Sequence, residues 1–141
     1  MTTSSVTTSS VTTLHHEVRV IFGDTDQMGI VYYANYYRYF EGARAAYLRD
    51  KGRSYKDMHE WGVALPVVES HCKYLQPAHY EDLLDVQTTV TEVRGASMRF
   101  GYRICRGEDL LVEGYTVHAC AHPETGRVRR IPPELRALLE D

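Results

Sequence analysis

A single long amphipathic helix, set among segments of alternating polarity, most constrains what this chain can fold into. The apolar residues of the helix recur at spacings of four, three and four positions: Tyr36, Phe40, Ala43 and Tyr47. This stripe predicts a helix from about Ala34 to Lys51, with Gly52 as its C-terminal stop. About eighteen residues at about 1.5 Å each reach roughly 27 Å, enough to cross a sheet. The stripe must then be buried against one face of that sheet.

Segments with a period of two flank the helix and predict the strands. We expect strands at 17–22, from 64 to the proline at 77, and around 84–90, 98–104 and 111–121, with a tight turn at Glu108-Asp109. Short helices are predicted near Tyr55–Trp61 and from Pro132 onward. One strand, one long helix and four strands joined by short turns predict an α+β fold, in which a mostly antiparallel sheet wraps one central helix.

Composition limits the class of protein. The chain has 141 residues, 43% hydrophobic and 25% charged, which suits one globular domain. A net charge of −3 argues against general nucleic-acid binding, and the lack of a long apolar run argues against a membrane span. Three cysteines without a CxxC pair and no evident secretory signal lead us to expect a reducing, cytoplasmic location. Residues 1–13 are Ser/Thr-rich and predicted to be disordered, which leaves 14–141 as the single domain.

The stretch from Asp24 to Tyr36 carries the densest chemical signal, because a polar turn with two carboxylates leads through Gly29 into the helix. Free backbone N–H groups and the positive dipole end of a helix N-terminus can hold a developing oxyanion. A glycine at this point lets bare backbone approach a substrate, or simply serves the turn. A carboxylate beside such N–H donors is the minimum equipment for cleaving an acyl bond.

Three groups of residues here resemble the 4-hydroxybenzoyl-CoA thioesterase family, which includes the Tol–Pal-associated acyl-CoA thioesterases: Asp24-Thr25-Asp26, Gly29-Ile30-Val31-Tyr32-Tyr33-Ala34-Asn35-Tyr36 and Phe40-Glu41-Gly42-Ala43-Arg44. The resemblance covers roughly residues 15–140. It implies a hotdog fold, in agreement with the arrangement predicted above, and homodimers or homotetramers with active sites between subunits. It also implies hydrolysis of an acyl-CoA or acyl-carrier-protein thioester, with no metal or redox cofactor required.

The resemblance also assigns the site. It places the catalytic carboxylate on Asp26 and the N–H that polarises the thioester carbonyl on Tyr33. Gly29 is a further catalytic candidate, because an oxyanion site needs bare backbone close by. Asp26 would act either as a nucleophile, through an acyl-aspartyl anhydride, or as a general base on water. A turn-forming role is the structural alternative for Asp26. Asp24 is expected to bond backbone and hold the loop, with proton sharing between the two carboxylates as the alternative.

Substrate contacts are predicted in two further places. Five tyrosines between residues 32 and 39 indicate an aromatic-lined pocket or interface, with Tyr32 as a substrate contact. In the hydroxybenzoyl-type relatives, a basic cluster after the third strand meets the nucleotide phosphates. Only Arg94 of that cluster is present here, with Ser97 close after it, and either Arg99 or the Arg129/Arg130 pair would take the place of the rest. Arginine forks suit phosphate oxygens.

Two further groups of residues have alternative interpretations. Glu41 is a secondary candidate for the carboxylate, because some distantly related hotdog thioesterases place theirs on the central helix; the alternative is an ion pair with Arg38 or Arg44. An alternating run on the last strand resembles a zinc site, but it lacks a fourth ligand and we expect ordinary sheet positions: His118, Cys120 and His122.

A thioester hydrolase is therefore the leading prediction, and two other functions stay open. One is a non-catalytic module that binds acyl-CoA or acyl-carrier protein, although binding alone does not require the Asp26 carboxylate. The other is a hotdog dehydratase or hydratase, which needs a differently placed acid/base pair, usually with a histidine. No such pair is evident near the helix. The acyl group itself cannot be read from this sequence.

Overall fold

The computed structural model describes residues 12–140 and contains five strands and three helices there. The strands are β1 (Thr13–Arg19), β2 (Val67–Tyr74), β3 (Leu83–Val93), β4 (Ser97–Arg106) and β5 (Asp109–Ala119). The helices are α1 (Asn35–Asp50), α2 (Tyr55–Glu60) and α3 (Pro133–Glu140), and a 3-10 turn spans Phe22–Asp24. Most of the predicted N-terminal tail lies outside the described residues. Within residues 12–140, no helix is long and apolar enough to cross a membrane.

All five strands form one antiparallel sheet in the order β1-β3-β4-β5-β2. Alternation along the central strands turns their apolar residues toward one face, as the sequence predicts: Leu84, Val86, Met98, Phe100, Tyr102 and Ile104 are buried there. Strands β1 and β2 lie at the two edges. The sheet and the single long helix confirm the predicted α+β class.

Helix α1 crosses the inner face of the sheet and buries the predicted stripe, none of whose four residues is more than 3% exposed. Phe40 stacks flat on Tyr102 at 4.1 Å between ring centroids, and Tyr47 meets Phe100 edge to face. The helix ends one residue before the predicted Lys51. Gly52 follows in a left-handed conformation (φ +76°), and the next N–H bonds back to the Leu48 carbonyl, a C-terminal cap that favours glycine.

Three local predictions were wrong in detail. The first strand is Thr13–Arg19 rather than 17–22, because the chain turns into the 3-10 turn at Phe22. The last strand is Asp109–Ala119 rather than 111–121. The turn between β4 and β5 is Gly107-Glu108, one residue earlier than predicted, because Gly107 takes the positive φ (+62°) that the turn uses.

Candidate active site

Asp26 opens a tight hairpin turn. The Gly29 N–H donates to the Asp26 carbonyl (3.0 Å) and the Asp26 N–H to the Ile30 carbonyl (2.9 Å). Gly29 has a positive φ of +80°, which closes such a three-residue turn at no steric cost. The Met28 N–H donates to Oδ1 of Asp26 (2.8 Å). The carboxylate is therefore fixed through one oxygen, while Oδ2 accepts from no group in residues 12–140.

Two unpaired N–H groups lie where the chain enters α1. The Tyr32 N–H donates to the Asp24 carbonyl (2.9 Å), and the Asn35 N–H donates to the Tyr32 carbonyl (2.8 Å). Between them, the N–H groups of Tyr33 and Ala34 donate to no acceptor within the described chain. Ala34 is the N-cap of the 16-residue helix and has no capping side chain. The free donors therefore stand at the positive end of the helix dipole, the arrangement that binds an oxyanion.

Asp24 joins this turn to the helix through three residues that we call the turn clamp: Asp24, Arg38 and Tyr39. Asp24 is only 4% exposed. Its Oδ2 accepts from the Tyr39 hydroxyl (2.7 Å), and its Oδ1 is paired with Arg38. Burial raises the pKa of Tyr39, and the Asp24 carboxylate raises it further, so the hydroxyl remains a donor.

The clamp corrects the predicted role of Asp24 in one respect. The side chain holds two helix side chains, whereas the carbonyl does the backbone work by accepting from the Tyr32 N–H and from Nδ2 of Asn35 (2.9 Å each). The two carboxylates have separate partners, since Asp24 bonds Arg38 and Tyr39 while Asp26 bonds the Met28 amide.

An aromatic cleft of about 280 Å³ opens beside the free amides, between the start of α1 and the end of β2. Its walls are tyrosine rings, with Tyr33 and Tyr36 at 6.1 and 5.6 Å from Tyr74 between centroids. Burial raises the pKa of both Tyr36 and Tyr74. The aromatic pocket predicted from the tyrosine run is present, but Tyr74 was missed. Strand β2 shows no alternation of buried residues, and Tyr74 itself is 45% exposed, so the sequence pattern does not mark it.

Tyr32 lies at the exposed rim of this region, with its ring 4.8 Å from that of Tyr33. Hydrogen bonding to the Tyr33 hydroxyl raises the pKa of Tyr32, and the nearby Asp26 charge contributes to the same shift. Tyr32, Tyr33 and Asp26 therefore lie close together.

Larger hollows of about 460 and 570 Å³ lie elsewhere, one over the outer sheet face at Gly101 and one between α2 and residues 121–126. Neither includes a residue of the turn–helix stretch, by which we mean residues 24–35.

The predicted nucleotide contacts are not brought to this site within one chain. The turn–helix stretch contacts the loop before β3, through the Val31 N–H and the Ala78 carbonyl (2.9 Å). Arg94 follows the other end of β3, and eleven strand residues span roughly 35 Å. Arg94 pairs with Glu92 (2.9 Å), and the Arg99 guanidinium lies 4.1 Å from the ring centroid of Tyr115. Ser97 closes the same β3–β4 turn, since its carbonyl accepts from the Arg94 N–H.

The remaining candidates lie outside the site. Glu41 is exposed on α1 and makes neither of the ion pairs considered, because Arg38 bonds Asp24 and Arg44 donates to the Tyr102 hydroxyl (3.0 Å). In the alternating run of the last strand, only one residue belongs to β5, which ends at Ala119. That residue, His118, is buried and hydrogen-bonded in the core. No group of three or more His, Cys, Asp or Glu within residues 12–140 is arranged to hold a metal ion.

Comparison with known proteins identifies the family of the chain. The family model described as the thioesterase-like superfamily matches residues 20–139. The chain is 36% identical to the acyl-CoA thioester hydrolase YbgC of Escherichia coli over 121 residues, which cover 85% of this chain and 90% of that protein.

Solved structures extend the likeness to three dimensions. A 1,4-dihydroxy-2-naphthoyl-CoA thioesterase from Synechocystis superposes with a TM-score of 0.84 at 26% identity, covering 92% of this chain and 97% of that one. A 4-hydroxybenzoyl CoA thioesterase complexed with 4-hydroxybenzoyl CoA superposes with a TM-score of 0.78 at 26% identity, covering 90% and 98%. The predicted hotdog fold is confirmed.

Proposed function

The chain belongs to the thioesterase-like superfamily and is a thioester hydrolase acting on acyl-CoA, and from this premise we propose that Asp26 and the free amides at the start of α1 form its catalytic centre. One observation carries the proposal. Within the turn–helix stretch, a carboxylate with one unbonded oxygen accompanies two unpaired N–H groups, those of Tyr33 and Ala34, at a helix N-terminus. Gly29 closes the turn that presents the carboxylate.

In the proposed reaction, the thioester carbonyl oxygen accepts hydrogen bonds from the Tyr33 and Ala34 N–H groups, and the α1 dipole stabilises the negative charge that develops there. Asp26 then acts by one of two routes. As a nucleophile it attacks the carbonyl carbon and expels the CoA thiolate, leaving an acyl-aspartyl anhydride that water hydrolyses. As a general base it removes a proton from the water that attacks directly. Both routes end in a carboxylic acid and a thiol.

The aromatic cleft supports a place for the acyl group. Its volume of about 280 Å³ lies just below the usual range of about 300–1,000 Å³ for ligand pockets. It therefore fits an acyl group but not a whole acyl-CoA. Rings of Tyr33, Tyr36 and Tyr74 would contact that group, while Tyr32 would contact the thioester end.

A second copy of the chain would complete the site. Arg94, Ser97 and Arg99 lie about one strand length from Asp26, too far for one acyl-CoA to reach both in the same chain. Strand β2 is an edge strand with no partner on its outer side among residues 12–140, and it exposes Val67 and Val68. Such an edge can pair with a strand of another chain. We therefore propose a homo-oligomer in which this edge is covered and the arginines of one copy serve the cleft of another. A charge at the edge, Val68→Lys, is expected to lower both the mass by light scattering and the turnover.

The decisive test is Asp26→Asn in a thiol-release assay with a panel of aromatic and aliphatic acyl-CoAs and one acyl-carrier protein. We expect kcat to fall by roughly 10³-fold, within the range that acid–base groups contribute. Asp109→Asn, exposed at the first residue of β5 and away from the site, is the matched control and should leave kcat unchanged. Undiminished turnover by Asp26→Asn would contradict the proposal. A transient mass increase on the Asp26 peptide during a single turnover distinguishes the nucleophile from the base.

A further inference from the structure

The buried acid Asp24 is placed to control the geometry of the catalytic centre without touching the substrate. Its carbonyl accepts from the Tyr32 N–H on one side of the two free amides and from the Asn35 side chain on the other, both at 2.9 Å. The free N–H groups of Tyr33 and Ala34 are thus bracketed by two bonds to one oxygen. Any shift of Asp24 must move these donors.

The connection from Asp24 to the catalytic carboxylate is short. Only Thr25 intervenes, and both its N–H and its hydroxyl donate to the Phe22 carbonyl, at 3.0 and 2.7 Å. Asp26 then closes its own turn through hydrogen bonds to Gly29 and Ile30. With each residue of this segment fixed, a displacement of Asp24 carries through to Asp26.

The side chain of Asp24 connects the same point to the helix. Arg38 and Tyr39 lie about one turn further into α1 than the free amides, and both bond the Asp24 carboxylate. Burying a charge is expensive, and an apolar side chain of similar size often stabilises a fold as well or better. A buried carboxylate at this position therefore indicates a requirement for fixed geometry rather than for packing.

We propose that the turn clamp is a positioning device, in which Tyr39 and Arg38 hold Asp24 so that the Tyr33 and Ala34 amides and the Asp26 carboxylate meet the thioester in register. This inference rests on the catalytic centre proposed above. The clamp residues act through Asp26 and the amides and contact no reacting atom. Misplacement of about 1 Å can cost about 100-fold in rate, so modest loosening is expected to lower kcat clearly.

The test compares two buried tyrosines that each lose one hydroxyl. Tyr39→Phe removes the bond to Asp24, whereas Tyr102→Phe removes core hydrogen bonds to Arg44 and Thr116. The two residues are 3% and 2% exposed, so the substitutions are alike in burial and chemistry. Acyl-CoA hydrolysis and urea unfolding are measured for both, beside Asp26→Asn and Asp24→Asn.

We expect both phenylalanine variants to unfold at lower urea, but only Tyr39→Phe to lower kcat, by about 10-fold with KM within about twofold. Asp24→Asn should lower kcat further. Equal kcat for Tyr39→Phe and Tyr102→Phe, with Asp26→Asn inactive, would overturn the positioning role and leave the catalytic centre intact. Full turnover by Asp26→Asn would overturn the catalytic centre and the clamp with it. Tyr39→Phe carries the conclusion if Asp24→Asn does not fold.

Discussion

Two polar clusters are anchored on helix α1, and they differ in what they connect. The turn clamp holds a charged pair and continues through the Asp24 carbonyl into the turn–helix stretch. The second cluster, which we call the core chain, joins the middle of α1 to the inner face of the sheet: Arg44, Tyr102, Thr116 and His118. The core chain ends on the Leu65 carbonyl and includes no residue of the turn–helix stretch. We therefore expect hydrogen bonds of similar length to serve catalytic geometry in the turn clamp and stability in the core chain.

Every bond of the core chain runs in a defined direction. The Leu65 carbonyl only accepts, so Nδ1 of His118 carries the proton and donates to it (2.9 Å). In the neutral ring, Nε2 must then accept from the Thr116 hydroxyl (2.8 Å), which in turn accepts from Tyr102 (2.7 Å). The Tyr102 oxygen accepts from Arg44. Each of the two hydroxyls bonds a neighbour on either side, so removal of one hydroxyl takes one hydrogen bond from each of two neighbouring polar groups.

Among the tests of this comparison, Thr116→Val should have the largest effect on the free energy of unfolding. Valine keeps the shape but presents a methyl group to Tyr102 and His118, and each unsatisfied buried group costs about 1–3 kcal/mol. We expect the free energy of unfolding to fall by about 3 kcal/mol, measured by urea titration.

The kinetics of the same variant test the separation of the two clusters. The folded Thr116→Val protein should hydrolyse acyl-CoA with the wild-type kcat, because the core chain has no bond to the turn–helix stretch. A kcat lowered as much as in Tyr39→Phe would show that the core chain also positions the catalytic centre, and the contrast between the two regions would be lost.

The parts of the fold that depend on local periodicity could be predicted from the sequence. The stripe on α1 and the alternation around Phe100 follow from spacing alone, because each pattern is complete within one element. Strand ends were less certain, as the shift of β1 to Thr13–Arg19 shows. At the end of β4, the positive φ of Gly107 places the turn one residue earlier than the polar/apolar alternation predicts.

The candidate site also has a part that the sequence predicts and a part that it does not. The Asp26 turn and the amide of Tyr33 are close in sequence, so one motif contains them. The bonds from Asp24 to Arg38 and Tyr39 join residues 14 and 15 positions apart, and no periodicity encodes that contact. The large distance between Arg94 and Asp26 could not be predicted from the sequence either, because it depends on the length and direction of β3 in the sheet.

The second-largest expected effect on the free energy of unfolding comes from acidification, which should weaken the core chain. Burial lowers the pKa of His118, and the Arg44 charge lowers it further. The hydrogen bond to the Leu65 carbonyl raises the pKa, but by less than burial lowers it. The unfolded chain therefore takes up a proton at a higher pH than the native one, near the ordinary histidine value of about 6.5. Stability should be complete above that pH and fall as the pH drops below it.

Urea midpoints at pH 7.5 and 5.5 measure this effect, and His118→Gln should reduce the difference between them. The other histidines are the same in both proteins and cancel in the comparison. A difference that is unchanged in His118→Gln would assign the acid sensitivity to another group and contradict the prediction.

The smallest expected effect comes from Thr88→Val, which matches Thr116→Val in chemistry and burial but lies outside the core chain. Thr88 faces the same buried side of the sheet, and its hydroxyl has no hydrogen-bond partner within residues 12–140. Removing a buried polar group that makes no bond relieves a desolvation cost, so we expect a gain of about 1 kcal/mol in the free energy of unfolding. The branched side chain is retained, so strand preference changes little. A loss comparable with that of Thr116→Val would mean that burial of a threonine, rather than its place in a chain of directed bonds, sets the cost.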